Sequence, residues 1–221
     1  MPPIATTKAE MTEQKLLSCA KSEFLEKGFL GASMRSIAQK ASMTTGAIYR
    51  YFPDKNALFE AVVKPTADEI SAYFEEISSY QLQLLEYNET VLEYESMQKG
   101  MLQIVDFIYD RFDIFDLLIN GSNGSNKEHY IDSLMELDLS STQAYIHKLS
   151  QLNILQHSPP AHLLSILVKQ SYRQVLEIVV SRMNREEAFE YMQLLIPFLY
   201  AGWTRLLETQ NNSNKAKEEK Q

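Results

Sequence analysis

Apolar side chains recur three and four positions apart through most of this chain, the spacing that gives a helix one buried face. Over 11–27 the buried row would be Leu16, Leu17, Ala20, Phe24 and Leu25, and Gly28 follows where a helix end calls for a left-handed residue. Ser33 is a good cap for a second helix with Met34, Ile37, Ala38 and Ala41 on its apolar face. A turn at Ser42 and Met43 leads to Thr44, which caps a third helix running to about Tyr51. Asp54 caps a fourth, with Leu58, Phe59, Val62 and Val63 inward, which Pro65 is expected to break or kink. Further helices are expected over 67–85, 94–109, 112–120, 128–152, 160–182 and 185–208. The run of Gly, Ser and Asn at 121–126 reads as a loop, Ser158, Pro159 and Pro160 as a helix start, and Asn184 as the last cap. Residues 1–10 read as a loose arm and 209–221 as a disordered tail. No strand pattern, internal repeat or sustained heptad interrupts the series, so the expected class is all-α.

The stretch 34–51 holds two short helices that must cross at close range. Ala38 is small enough for the crossing, and Ile37, Met43 and Ile48 would fill the wedge. The second helix would expose Thr44, Thr45, Gly46, Ala47, Tyr49, Arg50 and Tyr51, with few of the long charges a solvated face usually carries. Threonine hydroxyls can donate to phosphate, and a helix start offers unpaired amides to the same anion. Gly46 costs about 1 kcal/mol relative to alanine in a helix; close backbone approach to base edges is what it could offer in return. The phenols of Tyr49 and Tyr51 can bond phosphate, and Lys55 adds a charge and an end-on amide. The same pattern also fits a helical hairpin in an ordinary core.

Net charge is −8, an unpromising value for a nucleic-acid binder. The distribution changes the picture. Residues 1–60 hold eight basic groups against six acidic ones, whereas the remainder holds 13 against 23. Only the local field at the contact surface must attract phosphate.

Here a family resemblance is plain. The string TTGAIYRYFPDKNALF at 44–59, preceded by SMRSIAQKAS at 33–42, resembles the tetracycline-repressor (TetR) family of bacterial transcription regulators over about 16–63. The resemblance implies a three-helix DNA-binding domain over 11–55 and a larger helical ligand-binding and dimerisation domain over 56–208. It also implies a homodimer on a palindromic double-stranded DNA operator, with repression relieved by a small-molecule effector. Thr44, Tyr49, Tyr51 and Lys55 would then hold phosphates, and Thr45, Gly46 and Ala47 would face bases. Arg50 would serve phosphate or a peripheral base, and Arg35 would reach the backbone from the preceding helix. The chain departs from the family where Ser42 stands in place of the usual glycine and Tyr51 in place of a frequent histidine. A non-glycine residue at positive φ costs roughly 1 kcal/mol.

The last two expected helices are apolar on more than one face, which calls for burial on both sides. Leu164, Val168, Tyr172, Val175, Val179, Leu195, Phe198, Leu199 and Trp203 are the candidates for a four-helix dimer interface, with Leu163, Leu167 and Ile178 flanking and Ala201 and Gly202 allowing close approach. An apolar or aromatic effector would fit among Met101, Phe107, Ile108, Phe112, Phe115 and Tyr145. Asp106, Asp110 and Asp113 share a stripe that reads as a solvated acidic face, or as a counter-charge to a cationic ligand.

The four histidines show no HxxxH or HExxH spacing and there is no Gly-rich phosphate loop, so neither enzyme nor cofactor is expected. The lone Cys19, expected to be packed and inert, fits a reducing compartment. No run of about 18 apolar residues and no charged-then-apolar leader is present, so the expected setting is cytoplasmic, with no membrane partner. The alternatives are an interaction protein without operator binding, and an activator.

Overall fold

The computed structural model describes residues 7–86, 94–152, 155 and 159–207. Its helices are α1 (Lys8–Gly31), α2 (Met34–Lys40), α3 (Thr45–Ile48), α4 (Lys55–Glu86), α5 (Tyr94–Tyr109), α6 (Phe112–Ile119), α7 (Tyr130–Gln151), α8 (Ala161–Val180) and α9 (Arg185–Leu206). Among the described residues no helix is long and apolar enough to cross a membrane. The expectations for residues 1–6, Ser158 and 209–221 fall outside the described residues.

Three elements differ from expectation. First, α1 starts at Lys8, inside the expected arm. The Thr7 hydroxyl accepts from the Glu10 amide at 3.2 Å and the Glu10 carboxylate accepts from the Thr7 amide at 2.7 Å, a reciprocal cap that fixes the start. Second, α1 continues one turn past Gly28, which takes φ 65° and ψ 173°, so the left-handed glycine makes a kink and not an end. Third, of the two outcomes expected at Pro65, a break or a kink, the break does not occur: α4 runs on through it. Proline forfeits a helical hydrogen bond, at about 3 kcal/mol or more, but Val63, Thr66, Ala67 and Ile70 around it are buried, and their packing carries the helix across.

The chain divides into two compact units. The first lies within Met1–Ile70 and Arg111–Ile131, wider than the stretch 11–55 because it takes in the start of α4, the whole of α6 and the loop after it. Its core joins Leu16, Ala20 and Phe24 of α1, Ile37 and Ala38 of α2, Ile48 of α3, and Leu58, Phe59 and Val63 of α4, all at most 1% exposed. The rings of Phe24 and Phe29 both meet Phe59 edge-on, with centroids 5.0 and 5.3 Å apart. From α6, Ile114, Phe115, Leu117 and Leu118 are buried. The Phe29 amide donates to the Gly121 carbonyl at 2.8 Å, tying the end of α1 to the loop beyond α6.

The second unit lies within Ser71–Asp110 and Asp132–Gln221. There α9 packs against α5 and α8. Leu139, Tyr145, Ile146, Leu149, Leu155, Leu164, Val168 and Leu207 form a buried cluster. The Tyr109 hydroxyl donates to the Met183 carbonyl at 2.8 Å, and the Tyr191 hydroxyl to the Gln174 carbonyl at 3.0 Å. As expected, Asn184 caps α9, with Glu187 completing a reciprocal pair.

Candidate nucleic-acid interface

The helix-turn-helix is built by two caps. At its start, the Ser33 hydroxyl accepts from the Ser36 amide at 3.1 Å. At its end, the Met43 amide donates to the Ala38 carbonyl at 2.8 Å and the Ser42 amide to the Gln39 carbonyl at 3.0 Å. This crossed pair of bonds is a Schellman closure, which needs a left-handed residue at the position Ser42 occupies; Ser42 has φ 61°. The turn thereby aims α3 away from α2. Thr44 then caps α3, its hydroxyl oxygen accepting from the Ala47 amide at 3.2 Å. The amides of Thr45 and Gly46, in the first helical turn, need an acceptor from outside the helix.

On α3 the buried anchor is Ile48, at 0% exposure. Around it Thr44, Thr45, Gly46, Tyr49 and Arg50 are exposed, and Ala47 and Tyr51 are half-buried. The α-helix proper ends at Ile48, and residues 49–51 continue as a turn. Arg35 is exposed on α2. Among the described residues neither Arg35 nor Arg50 pairs with a carboxylate.

Several other basic groups of this unit are differently placed. Lys21 pairs with Asp113. Lys27 and Lys40 lie 2.8 and 2.7 Å from Glu23, and Lys40 also reaches Glu26 at 2.8 Å. Glu23 is wholly buried between α1 and α2. Burial pushes its carboxyl pKa up, but the ammonium groups of Lys27 and Lys40 and a bond from Ser36 outweigh that and hold it at about 2. The Lys55 ammonium is turned inward: it donates to the carbonyls of Phe29 (2.7 Å), Ala32 (3.0 Å) and Leu30 (3.3 Å) and sits 4.5 Å from the Phe29 ring centre. Neither the Glu23 hub nor the Lys55 clasp was anticipated. The signal for the first was present, since Glu23 falls on the α1 face shared by Leu16, Ala20 and Phe24 and stands four residues before Lys27.

The expected effector residues are not gathered in one place. Phe112 and Phe115 belong to the first unit, where Phe115 is buried core, whereas Met101, Phe107, Ile108 and Tyr145 belong to the second. None of the six lines the cleft of about 280 Å³ in the second unit, which is bounded by Leu82, Ala144, His147, Lys148 and Gln151. The Phe107 ring instead stacks on Tyr73, centroids 5.7 Å apart. The acidic stripe is also split: Arg185 pairs with Asp106 and Asp110, and Lys21 with Asp113.

The expected interface row needs a correction. Leu164, Val168, Val179, Leu195 and Leu199 are 0–6% exposed within the single chain and face its own core. Tyr172, Val175 and Trp203 are half-buried, the Trp203 indole donating to the Ser171 hydroxyl at 3.2 Å. Of the nine, Phe198 alone stands out, at 66%. The exposed apolar side chains on these helices are Leu163 (47%), Ile166 (60%), Leu167 (43%), Val180 (50%), Leu194 (75%) and Phe198. Two apolar faces on one helix cannot be ranked from periodicity, because both satisfy the same spacing.

Among the described residues the chain is helical, with a capped helix-turn-helix whose second helix faces outward, and known proteins share this arrangement. Residues 16–62 match the description "Bacterial regulatory proteins, tetR family". The match is confined to this segment. It is 33% identical over 68 residues to the HTH-type transcriptional regulator UidR of Escherichia coli, which is 31% of this chain and 35% of that protein. It is 34% identical over 67 residues to the HTH-type transcriptional repressor AcnR of Corynebacterium diphtheriae, 30% of this chain and 35% of that one. The chain thus covers about a third of the length of these curated relatives. Its fold is similar to that of NalD, the secondary repressor of a multidrug efflux pump in Pseudomonas aeruginosa, with a TM-score of 0.58 at 16% identity, covering 86% of this chain and 96% of that one. It is also similar to FadR of Bacillus subtilis, solved in complex with stearoyl-CoA, with a TM-score of 0.53 at 13% identity, covering 83% and 97%.

Proposed function

We propose that this protein is a cytoplasmic transcriptional repressor that binds a palindromic operator as a homodimer and is released by a small apolar or aromatic effector. The observation that carries the reading is the exposure of Thr44, Thr45, Gly46, Tyr49 and Arg50 around a fully buried Ile48. Thr45, Gly46 and Ala47 read base edges; Thr44, Tyr49 and Tyr51 hold phosphates; Arg35 and Arg50 supply unpaired positive charge. The names of the relatives support repression, and the fatty-acyl ligand carried by FadR supports a small-molecule effector for this fold.

Dimerisation is proposed through the exposed row of Leu163, Ile166, Leu167, Leu194 and Phe198, with a second copy as the occupant. That row is apolar, and it lies on two helices that pack on each other. One surface can therefore meet its own copy across a two-fold axis. Ala201 and Gly202 are exposed on the same helix, and a Cβ at Gly202 would meet nothing within 4 Å in the chain itself.

Gly46 gives the direct test. A Cβ there would meet nothing within 4 Å, so the chain does not require the glycine for its own packing. Gly46→Ala is expected to stabilise the fold by roughly 0.5–1 kcal/mol. It is also expected to weaken binding to DNA flanking the protein's own gene by about 10- to 100-fold, the weight of one good base contact. Fluorescence anisotropy and thermal melting measure the two effects. Unchanged affinity in Gly46→Ala would remove α3 from the groove, and no binding by the unaltered protein would remove the operator.

A further inference from the structure

We infer that Lys55 is a positioning residue of the DNA-reading turn, clasping the end of α1 to the start of α4, and is not a ligand of operator phosphate. The inference rests on the operator-binding reading above. An ammonium has three donors, and three carbonyls stand at 2.7, 3.0 and 3.3 Å from Nζ. Those carbonyls, of Phe29, Leu30 and Ala32, belong to the last turn of α1 and the residue after it, where a helix has no amides left to offer. A cation is also favoured at that end by the helix dipole.

The target is held from its other side. The Phe29 amide is bonded to the Gly121 carbonyl, and the Phe29 ring packs against Phe24 and Phe59 while carrying the Lys55 ammonium 4.5 Å from its centre. Lys55 opens α4, directly after Asp54, which caps that helix by accepting from the Ala57 amide at 2.8 Å. The segment between α3 and this point is short, and Phe52 within it is 6% exposed. The clasp thereby fixes the exit of the reading turn to α1. Swinging Lys55 out to a phosphate would strip three carbonyls of their shared donor, and partly buried carbonyls left unpaired are costly.

The test compares full-length wild type, Lys55→Met and Lys55→Arg. Affinity for DNA flanking the gene is read between about 50 and 200 mM salt, at a temperature where circular dichroism shows every variant folded, and thermal melting is recorded alongside. Lys55→Met is expected to melt lower by about 5 °C or more and to bind more weakly by one factor at every salt concentration, leaving the salt slope unchanged. A slope reduced by about one phosphate contact, with or without a change in melting, would overturn the inference. If Lys55→Met does not fold, Lys55→Arg decides. It keeps the charge a phosphate would need, but its donors are spread through a larger plane and do not converge on one point as the ammonium does among these carbonyls and the Phe29 ring, so lower melting and weakened binding are expected and wild-type binding and melting would overturn the clasp. Failure of wild type to bind would sink the operator reading, and the melting of Lys55→Met would still decide the clasp.

Discussion

Glutamate at both Leu194 and Phe198 is expected to give a folded monomer that has lost at least about 100-fold in operator affinity. Both side chains lie mostly in solvent in the single chain, at 75% and 66% exposure, so their replacement removes little internal packing. In a two-fold interface each is buried twice, and each burial of a large apolar side chain stabilises by about 1.5–3 kcal/mol. Four glutamates facing each other add repulsion. A single reading head loses the second half-site and with it the advantage of linked binding. Sedimentation velocity reads the mass and thermal melting the fold. Leu164→Ala and Leu199→Ala act on the opposite face, 2% and 6% exposed; they are expected to cost about 2–5 kcal/mol of stability. Dimers that persist in the double glutamate variant would place the interface elsewhere.

Glu23→Gln is expected to destabilise the first unit by about 3 kcal/mol at neutral pH, measured by chemical denaturation. The carboxylate lies wholly buried beside two ammonium groups that are about one-third exposed, so the figure is an upper bound. Its pH dependence follows from the depressed pKa. The folded value of about 2 lies below the ordinary 4.5, so ionisation favours the folded state. That contribution is complete above about pH 5 and is lost as pH falls toward 2. The stability gap between wild type and Glu23→Gln is therefore expected to narrow by about 1 kcal/mol at pH 3.5. A gap independent of pH would mean that Glu23 acts through shape and not charge.

Most of the helices were legible because their signals are local. Ser33, Thr44, Asp54 and Asn184 each cap the helix assigned to them, and the apolar spacing of α4, α5 and α6 leaves no competing strand. The reciprocal cap of Thr7 and Glu10 was equally local and was hidden only by the absence of apolar periodicity before it. The positive φ of Ser42 was legible from the family pattern alone. What sequence could not supply were choices between non-local partners. Lys55 reads as a surface charge until the carbonyls of Phe29, Leu30 and Ala32, more than twenty residues away, are brought to it. Phe112 and Phe115 read as cavity lining until α6 is seen to belong with the reading unit. The two apolar faces of α8 and α9 have the same spacing, and only burial tells core from surface.

Hydroxyl-radical footprinting on the DNA flanking the gene bears most directly on the paired reading heads. Two protected patches on one face of the duplex are predicted, centred about one helical turn or a small multiple of it apart and both lost in the double variant at Leu194 and Phe198. A single patch that survives in that variant would contradict the account.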